Sequence, residues 1–193
     1  VPKPTPCNPF QEVFVMQTLE TPRLILRSWS ILDLVDFFSY ASDPEIGPAA
    51  GWKPHVTRED TWEALRHNIQ ADDGWAIALR ETGKVIGSIK LRPDPKRPAL
   101  PCKMVGYSLS KGYWGNGYMT EAVGRVLAYA FEEEGLQMVT SYHQPGNDRS
   151  RRVILRCGFA FEGILRGSGY QYDGSPMDEY SYSLTREEYF LRG

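Results

Sequence analysis

The sequence predicts a single α+β domain, with one mostly antiparallel sheet and about four helices. Three observations predict it. "GWAIALRE" and "KVIGSIKLR", residues 74–81 and 84–92, flank the dipeptide Thr82-Gly83, which is hairpin spacing. Residues 117–133 carry a clean helical stripe immediately after a glycine-rich turn. Beyond it, "QMVTSYH", "FAFEGILR" and "DEYSYSLT" return to strand character, separated by one short helical segment. At 193 residues one core suffices, because a chain of this size buries roughly 70% of its unfolded surface.

Each element follows from its residues. The first fifteen carry prolines at 2, 4, 6 and 9, which forbids a helix and predicts an extended arm ahead of a domain spanning 16–193. "RLILRSW", residues 23–29, turns Leu24 and Leu26 inward and Arg23 and Arg27 outward, as a strand does. Residues 33–40 form a helix presenting Leu34, Phe37 and Phe38, with Ser30 as its cap. "SDPEIGPAAGWKP" is a loop. "TRED" opens a second helix over 57–69 with a capping pattern from Thr57 to Asp60. After the hairpin, 103–110 is a third sheet strand, 117–133 the long helix, 137–143 a strand, and 147–158 a short helix ending at Gly158. Residues 159–166 and 178–185 close the sheet around the turn "YDGSP".

The totals exclude several classes. A formal charge of −2 supplies no basic field for nucleic acid. No apolar run approaches the ~20 residues of a membrane helix, and nothing resembles a signal peptide. Cys7, Cys102 and Cys157 form no CxxC pair, which fits free thiols and a cytoplasmic setting. With His55, His67 and His143 scattered, no metal is expected.

The chemistry concentrates in "LSKGYWGNGYMTEAVGRVLAYAF", residues 109–131. Glycines 112, 115 and 117 leave the backbone bare just before a helix. Amides there have no intrahelical partner, and the helix dipole adds about half a positive charge. The result is an anion cradle suited to phosphate. A P-loop is excluded by the missing Lys-Ser/Thr pair, and a dinucleotide fingerprint by Thr120 where its third glycine belongs. On the glycines alone, a plain strand-to-helix turn stays equally open.

Four segments in register resemble the GNAT superfamily of N-acetyltransferases, particularly its ribosomal-protein N-terminal acetyltransferase-like branch. They are "ETPRLILR", "YWGNGYMTEA", "NDRSRRVILRCGF" and "YDGSPMDEYSYSLTREEY", which together frame residues 18–190. The resemblance implies the GNAT fold, in which one parallel pair, here "VGYSLS" and "QMVTSYH", splays apart to admit a pantetheine arm. It implies acetyl-CoA as co-substrate and a primary amine, a protein N-terminus or a small molecule, as acceptor. It places Leu109 backbone groups at the thioester. Tyr113, Trp114, Gly115, Asn116, Gly117, Tyr118 and Thr120 fall at the diphosphate, and Asn147 and Ser150 beside pantetheine and sulfur. The family's Gln or Arg at the head of the loop is Gly112 here.

Thioester-to-amine transfer needs a neutral amine, a stabilised oxyanion and a proton for the leaving thiolate. By the resemblance, Ser150 donates that proton; a helix-capping hydroxyl is the plainer alternative. His143, at a strand end, is the candidate base, since imidazole as a side-chain type can change charge near neutral pH, against a structural role. Glu121 complements the helix dipole. Trp52, in the loop bordering the acceptor groove of the family, either shapes that groove or packs beneath the loop. A non-catalytic acyl-CoA sensor is the competing class, as a monomer or a homodimer in either case.

Overall fold

A computed structural model describes residues 16–192; the proline-rich arm, residues 1–15, lies outside the described residues. Eight strands form one sheet. They are β1 (Leu19–Glu20), β2 (Leu24–Arg27), β3 (Gly74–Leu79), β4 (Val85–Pro93), β5 (Cys102–Leu109), β6 (Met138–His143), β7 (Ala160–Tyr170) and β8 (Pro176–Thr185). Their order is β1-β2-β3-β4-β5-β6-β8-β7, and among the described residues the β5/β6 pair alone is parallel. The last strand therefore inserts between β6 and β7. The hairpin at Thr82-Gly83 and the alternation of Leu24 and Leu26, both fully buried, form as the sequence predicts. The two-residue β1 is too short to leave a periodic signal.

Five α-helices cover the two faces: α1 (Leu34–Ala41), α2 (Arg58–Ala71), α3 (Tyr118–Ala128), α4 (Asp148–Arg156) and α5 (Arg186–Phe190). The fifth, one turn long, is the addition to the four expected. On one face α3 and α4 pack Val123, Val126, Leu127 and Ile154 against Trp75, Ile77, Ile86 and Ile89. On the other, α1 and α2 pack Phe37, Tyr40 and Leu65 against Ala76, Ala78 and Val85. Full burial of such side chains contributes ~1.5–3 kcal/mol each. Tyr40, rather than the expected Phe38, completes the buried face of α1. Three capping boxes fix helix starts, at Ser30/Asp33, Thr57/Asp60 and Thr185/Glu188. The predicted 117–133 helix is α3 continued by one π-turn, Tyr129–Glu133, which rotates Ala130 and Phe131 into the core.

The functional geometry arises where β5 and β6 part. They pair only at Cys102↔Met138, Lys103↔Val139 and Met104↔Thr140, yet β5 runs on to Leu109 and β6 to His143. Ser110 N–H bonds Ile86 O on β4, so alternation turns the backbone groups of Val105, Tyr107 and Leu109 away from β4 and into the gap.

Candidate active site

The gap opens into a cleft of about 660 Å³, within the range that small-ligand sites occupy. Its walls come from the 45–51 loop, the ends of β5 and β6, the start of α3, one face of α4, and β7–β8.

The glycine turn builds the first wall. Gly115 and Gly117 stand at φ +80° and +78°, which glycine adopts without strain. Gly117 is the N-cap of α3, and the first in-helix donor is Glu121, bonding Gly117 O at 3.0 Å. The amides of Tyr118, Met119 and Thr120 therefore have no helical partner, and all three residues line the cleft with Tyr113, Trp114 and Gly115. Asn116 departs from expectation: it is absent from the cleft wall. Its side-chain amide donates back to Trp114 O at 3.1 Å, and its own carbonyl accepts from Arg23 Nη1 at 2.9 Å.

Arg23 is a participant that local sequence reading missed. From the start of β2 it stands 4.4 Å from the Tyr118 ring centre and pairs with Glu121 at 2.6 Å. Thr21 Oγ1 donates to the same carboxylate at 2.6 Å. Partial burial pushes the Glu121 carboxyl up, but the hydrogen bonds from Thr21 and Arg23 outweigh it and leave it below its ordinary range. Glu121 thus anchors the turn instead of facing substrate.

Trp114 fixes the splay end of β5. Its indole Nε1 donates to Leu109 O at 2.8 Å, and the Arg149 guanidinium lies 4.0 Å from its ring centre. With the carbonyl engaged, Leu109 offers its N–H to the gap, the polarity an oxyanion needs.

On α4, Asn147 Oδ1 accepts from Ser150 N–H at 3.1 Å, so Asn147 is the helix cap while also lining the cleft. Ser150 Oγ lies 3.0 Å from Tyr107 Oη. Burial drives the Tyr107 phenol far above its ordinary pKa, so it stays protonated and available as a donor. Tyr107 belongs to the cleft and carried no motif signal. Arg149, Arg152 and Arg156 line the same side, and Glu45 on the cleft wall stands 4.0 Å from Arg149. Cys157 is driven up to about 12 by burial, which removes it as a nucleophile at neutral pH.

Two expected residues sit differently. His143 reaches the cleft, but Nδ1 faces Gln144 O at 2.8 Å and Nε2 faces Tyr182 Oη at 3.0 Å. A carbonyl only accepts, so Nδ1 carries the proton and Nε2 accepts from Tyr182. The imidazole then has no free lone pair for an incoming amine. Trp52 packs beneath the loop against His55, 5.2 Å between ring centres, and Gly47 has no space for a Cβ against it. Ala49, Ala50 and Gly51 form the wall instead.

Comparison with known proteins agrees with this geometry. The profile of the family described as "Acetyltransferase (GNAT) domain" matches residues 23–160. The uncharacterized N-acetyltransferase YoaA of Bacillus subtilis (strain 168) is 30% identical over 174 residues, covering 87% of this chain and 96% of its own. An acetyltransferase (GNAT family) structure from Bacillus anthracis shares the fold at TM-score 0.79 and 24% identity, over 89% of this chain and all of the other. A ribosomal-protein-S5-alanine acetyltransferase from Vibrio fischeri shares it at 0.66 and 19%, over 90% and 98%. The profile starts at the arginine that grips the glycine turn and runs past both splayed strands, and the chain belongs to the GNAT acetyltransferase family.

Proposed function

We propose that the protein moves the acetyl group of acetyl-CoA to a primary amine by direct attack within a ternary complex. The observation that carries this reading is the parting of β5 from β6 beside a glycine-built set of free amides. Exposed strand edges suit an extended, amide-bearing arm such as pantetheine, and the amides of 118–120 suit its diphosphate. Arg149, Arg152 and Arg156 add charge complementary to the phosphates of coenzyme A.

In this reading Leu109 N–H faces the thioester oxygen as negative charge develops there. Ser150 Oγ gives its proton to the departing sulfur and takes up the proton that the attacking amine sheds as the amide forms, while Tyr107 Oη, 3.0 Å away, orients the hydroxyl. Asn147 holds Ser150 in place through the backbone. His143 serves by fixing β6 to β8 through Tyr182. Holding two substrates in reacting geometry supplies the larger share of the acceleration, ~7–11 kcal/mol for well-oriented groups.

Calorimetric titration with coenzyme A, joined to thiol release from acetyl-CoA over a panel of primary amines, tests the proposal. Binding with amine-dependent release supports it; no binding removes it. Gly117→Val forces a β-branched residue into positive φ and blocks the cradle, so Kd for coenzyme A rises roughly tenfold or more. An unchanged Kd refutes the cradle.

A further inference from the structure

A cation stands against the part of the cleft wall that β6 and β8 supply. Glu179 on β8 and Tyr142 on β6 both line the cleft. Lys96 reaches them from the β4–β5 loop: its ammonium is paired with the Glu179 carboxylate and stands 4.0 Å from the centre of the Tyr142 ring. A carboxylate edge beside an aromatic face is the combination that holds an alkylammonium group.

The two receiving groups are fixed independently of Lys96. Tyr142 Oη donates to Asp94 Oδ2 at 2.6 Å, and the Asp94 side chain is fully buried. Ser168 Oγ donates to Glu179 Oε2 at 2.7 Å. Among the described residues the hydrogen bonds to this carboxylate all end on Oε2, which leaves Oε1 for a ligand. Lys96 is the less confined partner, 27% exposed against 14% for Glu179. Charge points the same way. Among the described residues the ion pairs of Asp94, Glu162 and Glu179 are with Lys96 and Arg97, and Arg97 is spent on Asp94 and Glu162. The cluster is one positive charge short with Lys96 in place and two short without it.

We propose that Glu179 and Tyr142 form a cation subsite for the acceptor, filled by Lys96 in the free protein and by an ammonium group of the acceptor in the complex. This rests on the acetyl-transfer reading above. The attacking amine must lose its charge to react, whereas a carboxylate favours the charged form. The group at Glu179 is therefore a second cation, and the acceptor class is an aliphatic diamine or a longer polycationic amine.

The test titrates 1,3-diaminopropane through 1,6-diaminohexane, and the monoamines of matching length, into the full chain loaded with coenzyme A. At least one diamine binds about tenfold tighter than its monoamine. Glu179→Gln removes that preference. Lys96→Met strengthens diamine binding about tenfold, a gain that misfolding cannot produce. Equal affinity for diamine and monoamine in the parent, or unchanged binding in Lys96→Met, overturns the subsite. Thiol release from acetyl-CoA, run alongside, separates the two claims. Release without diamine preference removes the subsite and keeps the transferase. Diamine preference without release keeps the subsite and removes the transfer.

Discussion

One hydrogen bond, from the Trp114 indole to Leu109 O, occupies a carbonyl that would otherwise face the gap beside Leu109 N–H. Trp114→Phe keeps a ring against the Phe37–Tyr40–Leu65 core cluster and Arg149 but frees that carbonyl. Stability falls by about 1 kcal/mol, read from the urea midpoint, and kcat falls with it because a carbonyl now competes in the gap. Ser150→Ala lowers kcat by ~10²-fold or more with KM for acetyl-CoA little changed; parent-like kinetics would remove Ser150 from the chemistry. Tyr107→Phe gives a smaller loss, since Ser150 retains its Asn147 anchor. Legibility differs sharply among these residues. Ser150 and Asn147 lie in a spaced motif, so their placement was readable. Tyr107 was not, because its meaning arises only when β6 parts from β5 and leaves its hydroxyl facing α4. The engagement of both His143 nitrogens was equally hidden, since Tyr182 is 39 positions away.

At the scale of elements, the start of α3 is held from outside the helix. Arg23 and Thr21, before β2, grip Glu121 and the Asn116 carbonyl. Arg23→Ala therefore weakens coenzyme A binding without touching the cradle amides, and thermal denaturation registers the lost tie. The pH dependence follows from the lowered Glu121 carboxyl. A depressed folded-state pKa contributes stability above the unfolded value, near 4.5, and loses it as pH falls through the folded value. Glu121→Gln flattens this part of the acid limb; an unaltered limb in denaturant titrations at successive pH values would show the tie carries no stability. The strands and caps here were legible because alternation and capping boxes are local codes. The π-turn after α3 was not, since it answers to the packing of Phe131 against Tyr189.

Across the whole molecule the cleft mixes charges, with three arginines from α4, Glu45 beside Arg149, and Glu179 from β8. Added salt screens the first interaction, so KM for acetyl-CoA rises with ionic strength, and Arg152→Gln with Arg156→Gln flattens that rise. The order β6-β8-β7 has a further consequence. Until residues 176–185 are made, β6 has no neighbour on one side and Glu179 is missing from the cleft. A chain cut short before β8 therefore lacks one wall of the cleft, and the bare edge of β6 becomes a sticky seam for chaperones to shield.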